Sequence, residues 1–201
     1  MSNVGSESKF TLATTGFTLL ETVVALSVIL AVVVGPVTLI TKGIFNFVAT
    51  KNKLVAANLA QEGIELIRLV RDNNVICDFL NGSAGWAWNR DPEGGNLTNT
   101  SREVDANSSK TINCGAASLS TPRLPLYSGQ PLRFNTSTGF YGYGGDQETV
   151  FVRKVDIRVP PDNPDSGIPA SDQMDIISTI TWNEHGTPKS LVVRERIYNW
   201  R

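Results

Sequence analysis

The sequence predicts an α+β protein in which one long N-terminal helix covers, with its second half, a C-terminal antiparallel β-sheet. Three observations carry that expectation. Residues 17–40 are apolar on every side and pass without a clear break into a segment of helical apolar spacing. The last third of the chain alternates apolar and polar residues in three runs. Between them lies a tract rich in Asn, Gly, Ser and Thr that has no apolar period. At 201 residues the chain holds one ordinary domain and something extra. The extra part is the apolar run.

The elements follow in order. Residues 1–16 are small and polar, stop at Gly16 and read as a leader. Residues 17–43 form the hydrophobic part of the helix, where residues 22–41 are twenty positions without a charge, long enough to span a bilayer. A helix apolar all round is a membrane span or a deeply buried core helix. Pro36 removes one backbone hydrogen bond and, with Gly35 before it, is expected to kink the helix rather than end it. Residues 44–73 are the amphipathic half. Val48, Val55, Leu59, Leu66 and Val70 follow steps of seven and four, with Ile67 beside them and Lys51, Lys53, Gln61, Arg68 and Arg71 largely elsewhere. The Asp72-Asn73-Asn74 cluster is the expected stop. A helix from Phe17 to Asn73 is roughly 85 Å long at 1.5 Å per residue, so about half of it must lie in lipid or against neighbouring subunits.

Residues 74–201 are expected to form a globular β-rich head. Residues 81–148 read as polar loops, with sequon-like triplets at Asn81, Asn96, Asn99, Asn107 and Asn135 and short strands around 86–88 and 124–127. In residues 149–159, Phe151, Val155, Ile157 and Val159 share one side. Residues 175–182 and 190–200 are further β-rich runs, joined at hairpin length by Asn183-Glu184-His185-Gly186. The product is a sheet of three or four strands whose apolar face needs a lid. The amphipathic helix half is the natural one.

Composition removes several function classes. Eighteen basic against nineteen acidic residues leave no global field to draw in polyanions. From Asn74 onward the count is 12 basic to 14 acidic, so Arg153, Lys154, Arg158, Arg194, Arg196 and Arg201 make at most a local patch and a nucleic-acid partner is not expected. His185 is the only histidine, which disfavours a Ser-His-Asp triad or a histidine metal cluster. Asp162, Asp165, Asp172 and Asp175 lack EF-hand spacing and read as solvated loop charges. The aromatic, glycine-rich residues 139–145 read as rings packed over a sheet edge, with an adhesive loop as the alternative. No metal, cofactor or catalytic activity is expected. Two cysteines, Cys77 and Cys114, are enough for one bridge in an oxidising compartment. Such a bridge closes a long loop worth about 3 to 4 kcal/mol in the loop-entropy model; two buried free thiols are the alternative.

Gly16-Phe17-Thr18-Leu19-Leu20-Glu21, followed by the apolar run, is the most specific signal. It resembles the processing motif of type IV prepilins and of the pseudopilins of type II secretion, over about 60 residues. The stretch from Leu20 to Leu26 is most like minor pilins of the type IV pilus modification class. The resemblance implies that prepilin peptidase, a membrane aspartic enzyme, cuts between Gly16 and Phe17 and methylates the new Phe17 amine. It implies a single-pass prepilin in the cytoplasmic membrane, partnered by the inner-membrane assembly platform and by other pilin subunits through the N-terminal helix, and later an extracellular or periplasmic filament.

The residue types suit those events. Gly16 allows an extended backbone in a protease cleft. A carboxylate at the membrane centre costs roughly 2.5 to 3.5 kcal/mol, so Glu21 needs a partner. The family pattern supplies the Phe17 ammonium of an adjacent subunit; a residue snorkelling to the headgroups is the alternative. The sixteen-residue leader is long for the family, and its Lys9 is offset by Glu7 while Lys42, Lys51 and Lys53 lie on the other flank. Charge alone therefore favours the opposite orientation, which the cleavage chemistry overrides. No disulfide lies near the C-terminus, as many major pilins have, which favours a minor role. The alternatives are a minor pseudopilin and a signal-anchored surface binding protein that never polymerises.

Overall fold

A computed structural model describes residues 16–82, 85–115, 117–161 and 167–199. Of the leader only Gly16 is among them; Asp162, Asp165, Trp200 and Arg201 lie outside. The chain divides into two compact units, Met1–Val48 and Ala49–Arg201.

Helix α1 runs from Leu19 to Leu80, 62 residues with Pro36 inside it. Its first half belongs to the first unit. There Val23, Leu26, Leu30, Val33 and Ile40 are each more than half exposed, and the helix is long and apolar enough to cross a membrane. The hydroxyls along it are satisfied within the helix. Thr22, Ser27, Thr38 and Thr41 donate to the carbonyls of Leu19, Val24, Gly35 and Val37 at 2.7–2.9 Å. That is what lipid requires of polar groups.

In the second unit, the remainder of α1 packs on an antiparallel sheet. Strands β1 (Thr100–Arg102), β4 (Pro131–Phe134), β5 (Tyr141–Gly142), β6 (Gln147–Arg158), β7 (Gln173–Glu184) and β8 (Thr187–Tyr198) form it, in the order β5-β4-β6-β7-β8 with β1 also on β6. Strands β2 (Asp105–Asn113) and β3 (Ser118–Arg123) make a separate hairpin. The expected three or four strands correspond to β6, β7 and β8. The others come from the tract read as polar loop. The β7–β8 turn has positive φ at His185 (50°) and Gly186 (80°), the pattern of a two-residue turn whose twist matches its strands.

The buried stripe of α1 keeps Leu59 and Val70 of the expected face but is rotated toward smaller residues. Ala56, Leu59, Ala60, Ile64, Ile67 and Val70 are buried, whereas Val55 and Leu66 only flank the core and Val48 is 38 % exposed. Small side chains set this orientation, because Ala56, Ala60 and Gly63 let the helix backbone lie close to the strands. The helix also continues past the expected stop at Asp72-Asn73-Asn74. The two asparagine amides donate instead to distant carbonyls, Asn73 to Ser120 (3.0 Å) and Asn74 to Trp88 (3.1 Å) and Arg90 (2.8 Å). The helix ends where Gly82 takes φ +67° and its N–H returns to Phe79 O at 3.2 Å.

Carboxylates order the polar tract. Asp91 holds Arg102, Glu103 accepts the Ser128 N–H (2.8 Å) and hydroxyl (2.6 Å), and Asp105 accepts the Asn107 N–H at 2.8 Å. The strands expected around 86–88 and 124–127 do not form, apart from a single bridge between Arg102 and Leu126. Trp88 and Leu124 are core plugs there, Trp88 with its indole N–H on Ser171 O at 3.2 Å.

Candidate functional site

The junction singled out by the sequence lies at the mouth of α1. Gly16 and Phe17 precede the helix, Phe17 is 79 % exposed, and nothing stands within 4 Å of where a Gly16 Cβ would be. Thr18 is the residue that sequence reasoning missed. Its hydroxyl accepts the Glu21 N–H at 3.2 Å, so Thr18 caps the helix and Glu21 occupies the third helical position. The Thr-x-x-Glu spacing of a capping box was the available signal. Glu21 is exposed in the first turn, where a carboxylate also meets the positive end of the helix dipole. It is the one charged residue in the sequence from Phe17 to Thr41. Pro36 stands inside the helix.

Cys77 and Cys114 are joined by a disulfide, with Cα atoms 4.7 Å apart. Cys77 lies in the last turns of α1 and Cys114 just beyond β2, so the bridge ties the β2–β3 hairpin to the helix end.

Several of the remaining candidates are occupied by structural work. Arg153 is completely buried on the inward face of β6. Its guanidinium donates to Leu59 O at 3.2 Å, to Glu62 at 3.0 Å and to Val104 O, so it contributes nothing to a surface patch. Lys154 pairs with Asp156 at 2.9 Å. Arg196 forms a two-pronged pair with Asp175 at 2.6 and 2.9 Å, which holds Arg196 above its usual range. Asp172 accepts the Asn199 amide at 2.8 Å. Two of the four loop aspartates are thus committed to donors, and among the described residues no group of three metal-ligating side chains gathers. In the glycine-rich segment Tyr141 packs on Phe134 and Phe151, ring centroids 5.2 and 6.4 Å apart. Tyr143 donates to Arg153 O at 3.5 Å, and burial pushes its hydroxyl above the ordinary tyrosine range. Phe140 alone is turned out.

The sequon-like asparagines also serve the backbone. Asn135 accepts the N–H groups of Ser137 and Thr138, both at 3.0 Å, Asn99 accepts that of Val159 at 3.3 Å, and Asn107 donates to Tyr141 O at 3.2 Å. The Asn135 bonds make a turn, and the other two join segments remote in sequence.

A long apolar N-terminal helix whose second half packs on a C-terminal antiparallel sheet is a pilin-like architecture. Comparison of the chain with protein-family models, with curated proteins and with solved structures finds no match.

Proposed function

We propose that this chain is a minor pilin, a structural subunit of a type IV pilus or related filament. The single observation that carries the reading is the Gly16-Phe17 junction set directly before a capped, apolar helix with Glu21 at its third position. On this reading prepilin peptidase removes residues 1–16 and methylates Phe17. Residues 17–43 first span the membrane, with Pro36 as a kink, and then form the filament core, where Glu21 of one subunit meets the Phe17 ammonium of the next. The amphipathic half and the sheet form the head that faces outward.

Physical chemistry supports each step. The junction is open and lacks a side chain at Gly16, as a peptidase cleft needs. The hydroxyls of residues 22–41 bond within the helix, so the segment is compatible both with lipid and with an apolar helix bundle. A lone carboxylate in that setting costs several kcal/mol unless paired. Intact-mass analysis of the protein from its native membrane tests the reading. The expected mass is that of residues 17–201 with one added methyl group; a chain still carrying Met1 would instead identify a signal-anchored protein that does not polymerise.

A further inference from the structure

The two margins of the main sheet are built differently. On one side β5 is two residues long and β4 carries a register shift between Pro131 and Arg133, both devices that discourage strand addition. On the other side β8 pairs with β7 over twelve consecutive positions without a shift. No further strand covers it among the described residues.

The ladder shows which groups β8 leaves open. Glu184 faces Thr187 across the two-residue turn, and at the far end the Asn199 N–H reaches Asp172 O at 2.9 Å. Hydrogen-bonded pairs alternate along an antiparallel ladder, so the odd-numbered residues of β8 bond to β7. Ser190, Val192, Arg194 and Arg196 turn their N–H and C=O groups to the free side. Tyr198 fits the same parity, since its carbonyl is taken from that side by Arg71 at 3.2 Å, while Pro188 has no N–H at the other end. The open run from Ser190 to Arg196 measures about 20 Å.

The side chains describe what would fit there. On the outward face Val192 is 48 % exposed and Arg194 is exposed with no ion pair among the described residues, whereas Arg196 beside it is held by Asp175. On the inward face Leu191 and Val193 are half-buried at the border of the core, and Glu195 is already neutralised by Arg68. A second copy of β8 would bring its own unpaired Arg194 onto the same outward face. Like charges across a strand pair are destabilising. We propose that the free edge of β8 is a docking site for an extended strand of a partner protein, one that sets an acidic residue against Arg194 and alternates it with apolar residues beside Leu191 and Val193. Main-chain hydrogen bonds to Ser190, Val192, Arg194 and Arg196 supply the attachment, and Arg194 selects the charge. A conventional solvated edge, blunted by its charges, is the competing outcome.

The test uses the full chain in detergent micelles and a short acetylated and amidated peptide of alternating valine and glutamate. Amide hydrogen exchange is followed residue by residue. The peptide is expected to slow exchange at Val192, Arg194 and Arg196 at least tenfold, and the valine-lysine counterpart is not. Val192→Pro removes one donor of the free edge without touching the β7 ladder, so protection by the glutamate peptide should vanish while Leu191 and Val193 stay protected. Arg194→Glu, which alters no backbone group, should weaken the glutamate peptide and favour the lysine one. Four results would overturn the proposal: no slowing with the glutamate peptide, equal slowing with both peptides, slowing that survives Val192→Pro, or protection that grows with the concentration of the chain alone, which would make a second copy the occupant.

Discussion

At Gly63 the helix backbone comes so close to the sheet that one methyl group would collide. A Cβ there would stand 2.9 Å from Ser178 Oγ and 3.3 Å from Arg153 Cδ and Val155 Cγ2. Alanine normally gains about 1 kcal/mol over glycine inside a helix, and overpacking costs about 1–3 kcal/mol, so Gly63→Ala is expected to lower stability by about 1 kcal/mol. Ser178→Ala removes a buried hydroxyl without a hydrogen-bond partner among the described residues and should be near neutral. Because it also removes the nearest obstacle, the double variant should recover most of the loss. Urea unfolding of the four proteins measures the coupling, and strictly additive changes would show that the clash is relieved elsewhere. Glu21 makes its prediction through assembly. On the proposed pairing with a neighbour's Phe17 ammonium, Glu21→Ala relieves a costly charge in the lone subunit but leaves that ammonium unpaired in a filament. Membrane insertion and cleavage after Gly16 should survive, whereas the amount in sheared filaments should fall sharply, less so for Glu21→Gln. Equal incorporation of all three forms would remove the assembly role.

Among the elements, α1 carries the largest difference between expectation and structure. The spacing of valines and leucines located an amphipathic helix correctly. The buried face lies part of a turn away, because size at the contact counts as well as hydrophobicity, and Ala56, Ala60 and Gly63 lie on it. The consequence is measurable. Ile67 is fully buried and Leu66 half-buried, so Ile67→Ala should cost about 2–5 kcal/mol and Leu66→Ala clearly less; the reverse order in denaturant unfolding would restore the orientation read from the sequence. The Cys77–Cys114 bridge spans a sequence separation of 37. Its reduction should lower stability by about 3–4 kcal/mol and release the β2–β3 hairpin first. Hydrogen exchange before and after reduction reads this out, and unchanged protection in β2 and β3 would mean that packing alone holds them.

On the scale of the whole molecule, residues 49–201 contain the sheet, both core clusters and the disulfide, and should fold without the apolar first half of α1. Their stability should depend on acid in a defined direction. Arg123 and then Lys110 hold Glu93 below its ordinary value of 4.5, and Thr136 lowers Asp146. Burial works against Asp156, yet the Ser101 hydroxyl and Lys154 outweigh it and keep it below 3.8. Folded values below unfolded ones contribute stability that is present above about pH 4.5 and is lost as pH falls through the lower folded values. Urea midpoints of this segment should therefore drop between about pH 5 and 3, and a flat profile would dismiss these three carboxylates as contributors. The sequence by itself determined what depends on near neighbours: the apolar helix, the junction before it, the alternating strands β6 to β8 and the turn between the last two. Only the tertiary structure decided what depends on distant ones. Arg153 occupies an inward position of an apolar strand because Leu59, Glu62 and Val104 together satisfy its charge. The polar tract forms strands because Asp91, Glu103 and Asp105 find donors from other segments, in Arg102, Ser128 and Tyr143. Such pairings have no period along the chain, since a hydrogen bond between remote residues constrains their positions in space and leaves their spacing in sequence free.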